Sequence, residues 1–199
     1  MANTFAPNGF RVLRRVDGAA WSGNMTPYLI AAANTNSFFN GDPVTMLSTG
    51  YIDVVASGTV SITGIFIGVK TVAQTTGSPW ASFYVGNSAN TTDVTAYVLD
   101  DPWATFMVQC GTSGAVGGPA SQSDVQVNFG FQFGSGSTAS GQSGAYLDYT
   151  THATTSTLPF RLVNLLDFPP GANGFDLTTA GNFVEVTMNN SNYKTLTGI

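Results

Sequence analysis

The fold of this chain is decided by the stretch Asn40-Gly41-Asp42-Pro43-Val44-Thr45-Met46-Leu47-Ser48-Thr49-Gly50-Tyr51-Ile52, which is followed by Gly64-Ile65-Phe66-Ile67-Gly68-Val69. Gly41-Asp42-Pro43 is a turn sequence, because glycine tolerates a positive φ and proline fixes φ near the value that turns require. Ser48-Thr49-Gly50 is a second turn sequence. Short runs rich in Val, Ile, Met and Tyr lie between and after these turns, so the stretch predicts three strands of a small antiparallel meander.

The amino-acid composition indicates an all-β protein with one domain. A chain of 199 residues can fill one core, and 43% of the residues are hydrophobic. Only 9% are charged and there is a single Glu, so hydroxyl and amide side chains must build the polar surface, as strands and turns prefer. About ten short strands at regular spacing predict an antiparallel β-sandwich or barrel of jelly-roll-like type.

Two apolar runs are the strongest strand signals outside the opening stretch. Val60 to Lys70 is the longest apolar alternation in the first half of the chain, and its Gly64 and Gly68 indicate a bulge or a close backbone crossing. Residues 125–133 carry Val or Phe at every second position, which predicts a strand with one wholly apolar face. The segment that follows, 134–144, is rich in Gly and Ser and predicts a hairpin loop.

The charge distribution separates the N-terminus from the rest of the chain. The net charge is −5, which argues against nucleic-acid binding because phosphate neutralisation needs clustered cations. Arg11, Arg14 and Arg15 nevertheless lie close together near the N-terminus. We predict that residues 1–24 form an extended arm, with Phe5, Phe10 and Trp21 as packing points, before a single β-domain at 25–199. Such an arm is either a solvated, disordered start or an anchor for an acidic partner surface.

The cysteine count and the hydropathy pattern place limits on the environment of the protein. Cys110 is the only cysteine, so we expect no intrachain disulfide, and its alternation with Phe106 and Val108 predicts a buried, unreactive thiol. No apolar run approaches the ~20 residues that span a bilayer, and no secretory leader is seen at the N-terminus. We expect a protein that is made and used in solution and that binds no membrane.

The sequence shows no set of residues suited to catalysis, metal binding or cofactor binding. Glu185 is predicted to face solvent, and Asp100 and Asp101 are adjacent at a turn, so no carboxyl pair flanks a substrate bond. His152 is the only histidine, too few for a zinc site. Gly134 to Ala139 matches a dinucleotide fingerprint, but no helix follows to hold a phosphate. We therefore predict a protein that is not an enzyme and that has no catalytic, metal-binding or cofactor-binding residues.

Several stretches, taken in order, resemble the head decoration or cement proteins of tailed bacteriophages. The resemblance spans nearly the whole chain, and its weight comes from the order of the pieces. No family pattern is seen in the Ser/Gly-rich segments 111–123 and 134–144. The matching residues are Met1-Ala2-Asn3-Thr4, Gly9-Phe10-Arg11, Asp17-Gly18-Ala19, Phe39 to Val44, Gly50-Tyr51-Ile52, Gly64-Ile65-Phe66 with Gly68, Tyr97-Val98, Asp100-Asp101-Pro102, Phe106 to Gln109, Thr157 to Arg161 and on to Leu165, Met188-Asn189-Asn190, and Thr197-Gly198-Ile199.

This resemblance implies a structural virion protein. Such proteins are small β-domains that sit as oligomers on the outer surface of the assembled capsid and bridge subunits of the major capsid protein. The implied partners are the major capsid protein and further copies of the chain, with a homotrimer favoured over a dimer. The implied location is the outer capsid surface, after assembly in the host cytoplasm.

The arm supplies a hypothesis for attachment. Phe5, Phe10, Arg11, Arg14 and Arg15 would order along the shell, because flexible arms gain affinity by covering large surfaces. The alternative from another class is a carbohydrate-binding or host-binding module, in which Trp80, Trp103 and the Gly-rich loops would face a glycan. A third option, an esterase or glycosidase on a β-scaffold, is disfavoured because carboxyl pairs are missing and the histidine is alone.

Overall fold

The structure is a computed structural model, and it describes residues 3–55, 61–70, 80–166 and 179–194. The regular elements of these residues are fifteen strands and one short 3-10 helix at Gln122–Asp124. In chain order the strands are β1 (Arg11–Arg15), β2 (Thr26–Ile30), β3 (Phe38–Phe39), β4 (Pro43–Met46), β5 (Ile52–Val54), β6 (Gly64–Lys70), β7 (Trp80–Ala81), β8 (Phe83–Tyr84), β9 (Val94–Leu99), β10 (Ala104–Thr112), β11 (Ala115–Val116), β12 (Asn128–Gln132), β13 (Tyr146–Ala153), β14 (Phe160–Leu165) and β15 (Phe183–Met188).

The larger sheet closes into a five-stranded barrel. Its strands follow the order β10, β13, β12, β14 and β15, and β15 pairs with β10 again to complete the circle. The β10–β13 pair is parallel and the other four pairs are antiparallel. β1 and β11 add to β10 from outside the circle. The predicted all-β sandwich or barrel is confirmed.

A second sheet contains the strands formed by residues 43–54 and 64–70. Its strand order is β2-β9-β6-β4-β5, with β7 beside β6, and a two-stranded sheet of β3 and β8 lies next to it. The turns at Gly41 and Gly50 are confirmed, since both glycines have positive φ. The predicted meander order was wrong, because β4 lies between β5 and β6 and pairs with both of them.

Two hydrophobic cores share the strands β6 and β9. Ile65 and Leu99 belong to the core inside the barrel, whereas their neighbours Phe66 and Val98 belong to a second core between the smaller sheets. All four side chains are completely buried, and each contributes roughly 1.5–3 kcal/mol to stability. β6 is therefore apolar on both faces because it is covered on both faces.

The two glycines of β6 mark close approaches of the kind that the sequence predicted. A Cβ atom at Gly64 would lie 2.3 Å from the carbonyl oxygen of Leu99, and one at Gly68 would lie 2.6 Å from Cζ2 of Trp80. The register against β9 also shifts between Phe66 and Gly68. Both the bulge and the close crossing are present.

The strand predicted at 125–133 is shorter than its alternation suggested. β12 begins at Asn128, because Gln126 has a φ of +73° and breaks the extended backbone before it. The hairpin predicted for 134–144 is confirmed, since the amide of Gly134 donates to the carbonyl of Gly144 at 2.9 Å and β12 pairs antiparallel with β13.

The N-terminal segment is built into the barrel sheet. Arg11–Arg15 forms β1 and pairs antiparallel with the first half of β10, and Phe10 lies inside the barrel core with 1% of its surface exposed. The segment is extended, as predicted, but it does not precede the domain as a free arm. The boundary predicted at residue 24 therefore separates two parts of one folded unit.

Residues 39–42 form the junction at which the main parts of the structure meet. The carbonyl of Gly41 accepts from the amide of Phe10 at 3.0 Å, and the amide of Gly41 donates to Phe66 at 2.8 Å. Asn40 exchanges backbone hydrogen bonds with the hairpin loop, donating to Gly141 at 2.9 Å and accepting from Ser143 at 3.0 Å. One short turn thus joins the N-terminal segment, the second sheet and the barrel.

Substitution of Gly41 tests this junction. Gly41 has a φ of +99°, and a Cβ atom there would lie 3.1 Å from the backbone of Gly9. Gly50 has a φ of +83° with open space around it, so Gly50→Ala costs about 1–2 kcal/mol of unfolding free energy for the backbone conformation alone. We expect Gly41→Ala to cost at least about 1 kcal/mol more, because a main-chain neighbour must move.

The measurement is the free energy of unfolding in urea for the two variants side by side. Equal losses for Gly41→Ala and Gly50→Ala would show that the crossing with Gly9 does not constrain the fold.

Candidate functional site

The first residues of the predicted arm lie against the outside of the barrel. The amide of Ala6 donates to Oε1 of Gln109 at 3.0 Å, and Nε2 of Gln109 donates to the carbonyl of Thr4 at 2.8 Å. The ring of Phe5 meets Tyr146 edge to face, with 5.2 Å between ring centroids. Phe5 is therefore half-buried against β13 and is not a free hydrophobic anchor.

Phe10 is completely buried and Arg11 is half-buried, and both are engaged within the fold. Phe10 stacks on Phe160 with 4.2 Å between ring centroids and touches Phe131 edge-on. The guanidinium of Arg11 hydrogen-bonds the side chain of Asn40. Burial lowers the pKa of Arg11, although the nearby carboxylate of Asp42 opposes this shift. Phe10 could not reach a partner without unfolding of the segment.

Arg14 forms a bidentate ion pair with the only Glu of the chain. Its Nε lies 2.8 Å from Oε1 of Glu185, and its Nη2 lies 2.9 Å from Oε2. The side chain of Glu185 is 2% exposed, so the prediction that Glu185 faces solvent was wrong. The alternation of β15 does turn Glu185 away from the core. β1 pairs with β10 in the same sheet, and the side chain of Arg14 reaches from β1 over β10 and covers Glu185.

The ionisation of Glu185 depends on this partner. Burial alone would raise the pKa of Glu185, but hydrogen bonds from Arg14 and Thr105, together with the charge of Arg14, bring its pKa below the ordinary value. The hydrogen bond to Glu185 likewise raises the pKa of Arg14. The cation of Arg14 is thus used within the fold.

Arg15 is also paired within the chain. Its Nη1 lies 3.1 Å from Oδ2 of Asp101, and its Nε lies 3.5 Å from Oδ2 of Asp17. The three arginines therefore do not form an open cationic surface. The segment also presents apolar side chains to solvent, since Leu13 is 37% exposed and Val16 is 46% exposed, beside the Arg14 side chain, which is 49% exposed.

A second exposed group lies beside this segment, at the turn between β9 and β10. The carbonyl of Trp103 accepts from the amide of Val16 at 2.8 Å, and Nζ of Lys194 lies 4.7 Å from the centroid of the Trp103 ring. Asp100, at the same turn, accepts hydrogen bonds from Tyr28 at 2.8 Å and from Tyr193 at 3.1 Å. Asp100 and Asp101 are therefore bonded within the fold.

The residues that sequence reasoning weighed for catalysis lie apart from one another. His152 is at the end of β13, where its Nδ1 is 2.7 Å from the carbonyl of Tyr149 and its ring stacks on that tyrosine. Cys110 is fully buried, as predicted, and burial raises the pKa of its thiol to about 12. Within residues 3–55, 61–70, 80–166 and 179–194, no group of three or more His, Cys, Asp or Glu side chains could hold a metal ion.

A cleft of about 280 Å³ opens beside the junction turn. Its lining includes Asn36, Ser37, Phe39, Asp42, Phe133 and Gly136. Burial raises the pKa of Asp42 to about 6, against the opposing effects of Ser143, the amide of Phe39 and the charge of Arg11. Oδ2 of Asp42 accepts a hydrogen bond from the amide of Phe39 at 2.7 Å, so the carboxylate of Asp42 stabilises the turn. Among the described residues that line the cleft, there is no second carboxyl group that could act with Asp42 in acid–base chemistry.

Sequence reasoning singled out Trp103 but missed Tyr28, Tyr193 and Lys194. These three residues reach the same turn from β2 and from the end of the chain, and Tyr28 and Tyr193 are 165 positions apart. No local period or spacing connects them. The antiparallel pairing of β2 with β9 sets Tyr28 opposite Ala96, and from there the Tyr28 hydroxyl reaches Asp100, just beyond the end of β9.

Removal of Arg14 tests the ion pair. In Arg14→Met the buried carboxylate of Glu185 loses its partner, so we expect a lower urea midpoint at neutral pH and a smaller loss in Arg14→Met/Glu185→Gln. The native pair has a lowered Glu185 pKa, so its contribution is present above the unfolded pKa and is lost as the pH falls. Arg14→Met should instead gain stability on acidification, because burial then raises the Glu185 pKa.

Arg15→Met is the matched control, since it removes a partly exposed cation from the same strand. If both single variants respond to pH in the same way, the buried pair has no special role.

Within the described parts of the chain, no helix has the length and apolar character needed to cross a membrane. Comparison with protein-family models, with curated proteins and with solved structures gave no match.

Proposed function

We propose that this chain is a structural virion protein of a tailed bacteriophage, which binds the outer surface of the capsid as an oligomer and stabilises the shell by bridging major capsid protein subunits. The ordered set of matching stretches in the sequence supports this proposal. The all-β fold is compatible with it, because closure of the five-stranded barrel removes sheet edges that could pair with other chains.

The observation that carries the proposal is the apolar surface of β1 and the turn after it. Leu13 and Val16 stay exposed although the neighbouring Phe10 and Arg14 are engaged within the fold. Large apolar side chains that stay exposed only three positions apart in the sequence are a feature of protein–protein interaction surfaces. The N-terminal segment thus remains the proposed contact, through its outward side chains rather than through Phe10 and Arg14.

The internal pairing of the arginines changes the expected physics of attachment. An interface built on free cations would weaken with salt, because exposed charges are screened over about 8–10 Å at ordinary ionic strength. Here Arg14 and Arg15 are already neutralised by Glu185 and Asp101. Burial of Leu13 and Val16 should hold the protein on the shell with little dependence on salt.

Oligomerisation makes a modest contact sufficient. Each copy offers a small apolar surface, but linked copies bind the lattice with a high effective concentration after the first contact. A trimer is favoured for the oligomer, and bridging of neighbouring capsid subunits follows if its copies contact different subunits. The proposed location is therefore the outer surface of the shell.

The experiment mixes the purified protein with expanded shells of the cognate major capsid protein and examines them by electron microscopy. We expect regular added density at symmetry-related sites, and similar occupancy at about 0.1 M and about 1 M salt. Leu13→Ser/Val16→Ser should lower occupancy strongly. Leu47→Ser is the control, because Leu47 is similarly exposed at the distant β4–β5 turn.

Bare shells in the presence of folded, unmodified protein would overturn the proposed function. Full occupancy by Leu13→Ser/Val16→Ser would overturn the assignment of the contact surface to β1.

A further inference from the structure

The β9–β10 turn and residues 191–194 form an aromatic surface that shell attachment does not use. Trp103 is 54% exposed and Tyr193 is 57% exposed, which makes them the two most exposed aromatic side chains among the described large hydrophobic residues. They reach the surface from distant parts of the chain and are joined by Lys194, which lies over the Trp103 ring.

The polar groups beneath these rings are fixed. Asp100 Oδ1 accepts from the hydroxyl of Thr26 at 3.0 Å, and Asp100 Oδ2 is within hydrogen-bond distance of the hydroxyls of Tyr28 and Tyr193. The two tyrosine oxygens also contact each other at 2.5 Å. The ring of Tyr193 is therefore held at its hydroxyl end, which reduces the entropy lost when a ligand covers it.

The hydrogen-bond count shows what kind of ligand this cluster suits. Three oxygen–oxygen contacts join Asp100 Oδ2, Tyr28 and Tyr193, but the two tyrosines supply only two protons. Burial, with the hydrogen bonds to Tyr193 and Asp100, raises the pKa of Tyr28, so it keeps its proton at neutral pH. The cluster is thus rich in acceptor lone pairs and favours a ligand that brings hydroxyl donors.

Lys194 supplies hydrogen-bond donors, which the acceptor-rich Asp100–tyrosine cluster lacks. Its ammonium donates to the carbonyl of Met188 and lies 4.7 Å from the Trp103 ring centroid, which fixes both groups. An ammonium has three protons, so donors remain for a ligand oxygen. The carboxylate of Asp100 at the same turn disfavours an anionic ligand, whereas the charge of Asp101 is already matched by Arg15.

We propose that this surface binds a neutral saccharide. A pyranose ring has an apolar C–H face that packs on an aromatic ring, and hydroxyls at its edge that both donate and accept. The C–H face would cover Tyr193 or Trp103, the hydroxyls would donate to the Asp100–tyrosine cluster, and Lys194 would donate to a ring or hydroxyl oxygen. The side chains of this site are not those assigned to shell attachment, although the carbonyl of Trp103 is bonded to the amide of Val16, and saccharide binding can be tested on the isolated protein.

The experiment applies the full chain to an array of neutral hexose and N-acetylhexosamine oligosaccharides and measures the best ligand by calorimetry. We expect Trp103→Ala and Tyr193→Ala to bind at least about tenfold more weakly, because each removes a large contact surface. Tyr193→Phe keeps the ring and should lose less. Trp80→Ala is the control, since Trp80 is also exposed but packs on Tyr97 at a different part of the second sheet.

Absence of binding to every neutral oligosaccharide, with the protein folded by its thermal melt, would overturn the site. So would equal weakening by Trp80→Ala, or binding of acidic saccharides alone. Leu13→Ser/Val16→Ser should bind the saccharide normally, so failure of this proposal and failure of shell attachment are distinguishable.

Discussion

The crossing of two glycine backbones, Gly9 over Gly41, is the constraint on which the rest of the structure depends. A Cβ atom at Gly9 would lie 2.7 Å from Cβ of Ser143 and 2.9 Å from the carbonyl oxygen of Gly41. Only at this separation can Phe10 donate to Gly41 while its ring enters the barrel. Once Phe10 is seated, β1 lies along β10, and Arg14 then covers Glu185. The N-terminal segment is therefore part of the fold, because Gly9 and Gly41 have no side chains and their backbones can cross closely at this turn.

This arrangement explains how a chain with few charges builds its surface. Most polar side chains are hydroxyls and amides, and Arg14 and Arg15 of the N-terminal segment are paired with carboxylates of the same chain. Parts of the outward surface are apolar or aromatic. Leu13 and Val16 form one such surface, and Trp103 and Tyr193 form another. Both suit contacts that persist in salt, as the proposed role on the outside of a particle would require.

Much of the fold could be predicted from local sequence. The glycines of β6, the turns at Gly41 and Gly50, and the burial of Cys110 follow from residue chemistry and period-two alternation. The burial of Glu185 could not be predicted in this way. Period-two alternation correctly turns Glu185 away from the core, but the side chain that covers it, Arg14, comes from a strand far away in the sequence. The same holds for the order of β4 and β5, and for the meeting of Tyr28 with Tyr193. In each case the outcome depends on contacts between residues far apart in the sequence, which the local sequence pattern does not specify.

Amide hydrogen exchange along the N-terminal segment is the most direct test that it belongs to the fold. The amide of Gly9 donates to the carbonyl of Ala145, and the amide of Phe10 donates to the carbonyl of Gly41. We predict that these two amides exchange as slowly in the free protein as the amides of the barrel strand β10. Fast exchange of these two amides, with β10 still protected, would contradict it. The segment would then be a mobile arm, and attachment would proceed through ordering of that arm on its partner.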